Sequence, residues 1–106
     1  MTLPKSFYIR TTKDQDPSNR GAHPLAYVLI RGNTAFVSAC GIGDTFRKSV
    51  ARAIVDGRVR TGECVVIKPT DTVESILRSA GVPRKVIKKA DLIRADQAFE
   101  RAIEIG

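Results

Sequence analysis

Nine cations in two groups have the clearest capacity for chemistry in this chain: Arg47, Lys48, Arg52, Arg58 and Arg60, then Arg84, Lys85, Lys88 and Lys89. Closely spaced lysine and arginine suit the phosphates of DNA or RNA, because each cation that meets a phosphate releases condensed counterions. Lys48 and Arg52 stand four positions apart and share a face of any helix that carries them. Just upstream, Gly41-Ile42-Gly43 offers backbone N–H groups to an anion at a helix start, although Asp44 beside it would repel a phosphate. The same cations also suit an acidic protein surface, and the plain alternative is a solvated helix back that keeps the chain soluble.

Groups that could perform catalysis are few. His23 is the one histidine; it stands before Pro24 with no Ser, Cys or carboxylate at a recognisable spacing, and reads as a surface residue. Asp14 and Asp16 share its polar stretch and would hold a metal only with ligands from elsewhere. Cys40 and Cys64 each lie in an apolar run without CxxC spacing and read as two buried thiols, with a Cys40–Cys64 pair on neighbouring strands left open. No catalytic residue, metal ligand or cofactor is assigned on this basis.

Charge is unevenly spread. The net +7 divides into +3 over residues 1–43, +3 over 44–62, −1 over 63–81, +4 over 82–90 and −2 over 91–106. With 106 residues, 42% hydrophobic and 27% charged, the chain has the make-up of one ordinary globular domain. No apolar run approaches the roughly 18 residues of a membrane span, and Met1–Arg10 lacks the apolar core of a secretion signal. A cytoplasmic protein with no membrane association is expected. Aromatics make up 6% with no Trp, too few for a long base-stacking platform; Phe7, Tyr8, Tyr27 and Phe36 fall in strand-like runs and read mainly as core.

The elements that must position these cations follow from periodicity and punctuation. Phe7-Tyr8-Ile9 reads as a strand, and residues 13–24 as an exposed polar loop. Leu25–Arg31 and Thr34–Cys40 flank Gly32-Asn33, a dipeptide suited to a tight hairpin turn. Along the second arm Ala35, Val37 and Ala39 alternate with Phe36, Ser38 and Cys40, so neither side is polar and both are expected to be covered. Asp44 can cap a helix running to Arg60, with Phe46, Val50, Ala53, Ile54 and Gly57 inward and a back of Lys48, Arg52 and Asp56. Gly57 or Gly62 can end it, and Glu63–Lys68 reads as a buried strand.

Asp71 and Glu74 resemble a capping box for a helix over Thr72–Ala80 that stops at Gly81. Pro83 can start another, and two divergent apolar stripes place a break near Ala90-Asp91, with Asp91 as a fresh cap. The stretch from Val73 to Leu92 can also be drawn as a helix-turn-helix with Gly81 in the turn. The expected fold is α+β, a mostly antiparallel sheet of three to four strands with helices packed on it, in the order β-β-β-α-β-α-α.

One segment carries a resemblance. In Asp44–Val59, Asp-x-Phe, the basic pair Arg47-Lys48, Arg52-x-Ile54 and Gly57-Arg58 follow one another. This run resembles a segment of small uncharacterised proteins of phages and other mobile elements. It covers 16 of 106 residues and implies an origin in a mobile element without implying a mechanism. Two functions are therefore expected to compete. One is a basic nucleic-acid-binding protein of limited sequence specificity. The other is an accessory module of a mobile element that docks on an acidic partner or forms a homo-oligomer.

Overall fold

In the computed structural model, which describes residues 5–12, 24–39 and 46–104, the runs on either side of Gly32-Asn33 form the expected hairpin. β2 (Pro24–Arg31) and β3 (Thr34–Ala39) pair antiparallel, and Arg31 opposite Thr34 closes the two-residue turn. β1 (Lys5–Arg10) lies on the far side of β2 and the short β4 (Val65–Val66) on the far side of β3. The sheet order is β1-β2-β3-β4 and all three pairings are antiparallel. With α1 (Lys48–Thr61), α2 (Val73–Ser79), α3 (Arg84–Ile87) and α4 (Leu92–Glu104), the chain is the α+β fold expected, with one helix more than the anticipated order.

Strand alternation divides the side chains between two covered faces. Tyr8, Tyr27 and Ser38 line up across three strands on one face, as do Leu29 and Phe36 across two, and α1 packs here through Ala51 and Val55. The opposite face presents Ile9, Ala26, Val28, Ala35 and Val37 to Val73, Ile76 and Leu77 of α2, Val86 and Ile87 of α3, and Ala95, Phe99 and Ala102 of α4. This is why β3 shows no polar side. Ile9 and Val55 are wholly buried, one in each layer, and burying such a side chain contributes about 1.5–3 kcal/mol.

Helix boundaries follow local capping. The α2 cap is Thr72, one residue after the expected Asp71: Thr72 Oγ1 accepts from Ser75 N–H (3.3 Å) while Ser75 Oγ accepts from Thr72 N–H (2.8 Å). Asp71 instead accepts from Lys68 N–H (2.8 Å) and Ser75 Oγ (3.0 Å), and these bonds, the backbone one first, hold its carboxyl below the usual range. Val73 N–H donates to Asp96 Oδ1 (3.0 Å), so a carboxylate of α4 closes the start of α2. The break at Ala90-Asp91 is present, and Asp91 Oδ1 accepts from Arg94 N–H at the head of α4 (3.3 Å).

Two expectations about the middle of the chain are overturned. Glu63–Lys68 is not a buried strand: only Val65 and Val66 pair, opposite Ala35 and Thr34, and Val66 is 57% exposed. The run is apolar, yet it forms the outer edge of the sheet, where one side of each residue meets solvent. Cys64 is accordingly an exposed free thiol and not a core residue. Cys40, the 13–23 part of the polar loop with Asp14, Asp16 and His23, and Gly41–Asp44 lie outside the described residues.

Candidate nucleic-acid interface

The first cation group rides on α1, and the helix is turned roughly half a revolution from the expected setting. Ala51 and Val55 face the sheet with Lys48, Arg52 and Val59 on the same side, while Val50 (50% exposed), Ile54 (42% exposed), Ala53 and Gly57 point outward. The sheet explains the choice. Its α1-facing surface carries the bulky rings of Tyr8, Tyr27 and Phe36, which seat a small Ala51 beneath the helix and leave Tyr8 to be covered from the rim. The helix also begins at Lys48, later than the expected start near Thr45. Its N-cap, Arg47, makes no side-chain capping bond.

Tyr8 organises the site. Lys48 Nζ stands 4.8 Å from the centre of its ring, a cation–π arrangement, and Arg52 Nε–H donates to the phenol oxygen at 3.1 Å. Tyr27 packs on the same ring at 5.0 Å between centroids, and Phe46 meets it edge-on at 6.2 Å. The stems of the two cations cover aromatic surface while their charges remain in water. Arg52 is exposed and commits Nε alone among the described residues, which leaves its two terminal nitrogens for an external acceptor. With Lys48 over its face and Tyr27 and Phe46 around it, Tyr8 positions cations and leaves little ring for stacking a base.

Arg58 belongs to a different structure. Its guanidinium donates to the Val37 carbonyl on the edge of β3, just past the point where pairing with β4 stops. It thereby supplies the donor that a longer β4 would have provided. Beside it a surface cleft of about 350 Å³ is bordered by Glu63, Cys64 and Val65. The α1 group accordingly separates into Lys48 and Arg52 on Tyr8, Arg58 on the sheet edge, and the exposed Arg47 and Arg60 near the helix ends.

Arg84, Lys85, Lys88 and Lys89 are all exposed around α3, whose Val86 and Ile87 anchor the segment in the core. Arg84 and Lys88 line a cleft of about 280 Å³ that also takes in Arg78 and Glu74, themselves ion-paired at 3.4 Å. α3 is one turn of four residues, too short for the recognition helix of a helix-turn-helix. The segment is tied to the end of β1: Thr12 N–H donates to Lys89 O (3.2 Å) and Asp91 N–H to Arg10 O (2.8 Å).

One strand therefore joins the two groups. Tyr8 carries Lys48 and Arg52, Arg10 follows two residues later as an exposed residue between the buried Ile9 and Thr11, past a register shift against β2, and Thr12 meets Lys89. At ~3.3 Å per residue, Tyr8 and Thr12 are about 13 Å apart along the strand. That span corresponds to about four base-pair steps along the axis of a duplex. Among the described residues the ion pairs are Glu74–Arg78 and Asp91–Arg94, so none of the nine cations is neutralised by one. Arg10 and Tyr8 are the site residues that the sequence did not single out. Their signal was the spacing Tyr8-x-Arg10, which puts a ring and a cation two positions apart on an edge strand.

Among the described residues no group of three or more His, Cys, Asp or Glu side chains could hold a metal ion. None of the described helices is long and apolar enough to cross a membrane. No protein-family model, curated protein or solved structure matches the chain.

Proposed function

We propose that this protein binds nucleic acid through its phosphates, with limited sequence specificity. The observation that carries the reading is the Tyr8 cluster, in which Lys48 and Arg52 are held side by side with no carboxylate partner among the described residues, and with Arg10 two positions on in the strand. Arg84, Lys85, Lys88 and Lys89 extend the positive surface beyond the end of β1, whereas Arg47 and Arg60, near the two ends of α1, are not assigned to it. Arg58 is left out of the proposed contact set because it is half-buried with Nη1 on the Val37 carbonyl, whereas Lys48 and Arg52 are exposed. Phosphate contacts fix register and carry no direct sequence information, which is the basis for limited specificity.

On this reading the protein is an accessory factor of a mobile element working in the cytoplasm, a reducing compartment in which the exposed Cys64 stays a thiol. The test is fluorescence anisotropy with labelled DNA and RNA, single-stranded and duplex. Non-specific dissociation constants of about 10⁻⁴ to 10⁻⁶ M at physiological salt are expected, tightening steeply as salt is lowered. No binding to any of the four at low salt ends the proposal.

A further inference from the structure

The outward side of α1 is the largest feature that the nucleic-acid reading does not use. Val50, Ala53, Ile54 and Gly57 recur at the spacing of a helix-packing stripe, yet all four are exposed, because the sheet takes the opposite side of the helix. Apolar side chains at this spacing form the row into which a second helix fits its own ridge, and Ala53 and Gly57 between the larger residues permit close approach. Arg47 stands three positions before Val50 at one end of the stripe and Arg60 three positions after Gly57 at the other, both exposed and neither in an ion pair among the described residues.

We infer that this face docks an amphipathic helix of another protein, with apolar residues on the stripe and carboxylates meeting Arg47 and Arg60. Charge selects this occupant over a second copy of the chain. Away from the sheet side of α1, Arg47 and Arg60 outnumber the carboxylate Asp56, and each copy carries a net charge of +7, so two copies laid together on this face would repel. A helix bearing Glu or Asp beside its apolar row is attracted by the same charges. The surface is separate from the Tyr8 cluster, which lies on the sheet side of α1, so one molecule can hold nucleic acid and the partner helix together.

The experiment titrates the protein into a fluorescein-labelled helical peptide with Leu along one face and Glu flanking it, and into a control peptide with Lys in place of Glu. Two double variants separate the surfaces: Val50→Ser with Ile54→Ser, which changes no charge and replaces only exposed side chains, and Lys48→Ala with Arg52→Ala. The Glu peptide is expected to bind, to lose at least about tenfold in affinity with the serine pair, and to change by less than about threefold with the alanine pair. The nucleic-acid titration is expected to show the reverse pattern, so the two proposals fail independently. Equal binding of the Lys peptide, or of the serine pair, overturns the inference. So does a wild-type dimer in light scattering that the serine pair dissolves, which would make the occupant a second copy. Binding to phosphatidylserine vesicles that the serine pair abolishes would make it a membrane and would also overturn it.

Discussion

Lys48 and Arg52 differ from Arg58 in what their charges already do, and that difference can be measured. If Lys48 and Arg52 each meet one phosphate, replacing both with alanine removes two contacts. The slope of log K against log salt then shallows by about 1.8, at ~0.9 per duplex phosphate. Between 50 and 200 mM salt, wild type should consequently lose about 12-fold more affinity than the double variant. Arg58→Ala should leave the slope unchanged, because that side chain is half-buried and held at the Val37 carbonyl. It should instead cost stability, about 1.5 kcal/mol, the lower end for a charge-assisted bond, since the adjoining cleft lets water take the vacated carbonyl. Anisotropy titrations at four salt concentrations and a urea melt supply both readouts. A double variant with the wild-type slope refutes phosphate contact by the Tyr8 cluster. An Arg58→Ala variant that shallows the slope as much as either single replacement refutes the division of α1 into two working parts.

Asp96→Ala removes the acceptor that closes α2 at Val73 N–H and should destabilise the fold by about 1 kcal/mol, read as a fall in Tm of roughly 4 °C. Asp71 has a lowered pKa in the folded chain, so its contribution is present above the ordinary carboxylate range and is lost as pH falls through the lowered value; Asp71→Asn should flatten that limb in a melting series from neutral to acid pH, and an unchanged limb would disprove the assignment. The two glycines near the end of α1 should respond oppositely to alanine. Gly57 is helical and open around its Cα, so Gly57→Ala should stabilise by about 0.5–1 kcal/mol, whereas Gly62 ends the helix at φ +78° and Gly62→Ala should cost about 1 kcal/mol or more, both by chemical denaturation.

The hairpin and the helix break at Ala90-Asp91 were legible because single residues there have few conformational alternatives, whereas the stop of α1 was narrowed only to Gly57 or Gly62, and Gly62 takes it at φ +78°. The rotation of α1 was not. Val50, Ala53 and Ile54 make one side of the helix as apolar as Ala51, Val55 and Val59 make the other, so periodicity offered two settings and the rings of the sheet decided between them. The α2 cap was missed by one residue because Asp71, Thr72, Glu74 and Ser75 hold two overlapping capping pairs, and only the reciprocal Thr72–Ser75 bonds distinguish them. Both positive groups were identifiable from charge alone. Their connection through β1 was not, since it depends on a bridge between Thr11 and Ala90, far apart in the chain.

That bridge also sets an order of events. Thr11 and Ala90 are separated by most of the chain, and closing so long a loop is among the slower steps available to a small domain. The early strand that carries Tyr8 and Arg10 gains its second set of backbone partners only when residues 89–91 arrive. Folding kinetics followed with Thr11→Pro would therefore report on the same piece of backbone that arranges the charges. A ribosome-bound chain that has not yet exposed these residues would carry its cations without the arrangement that concentrates them.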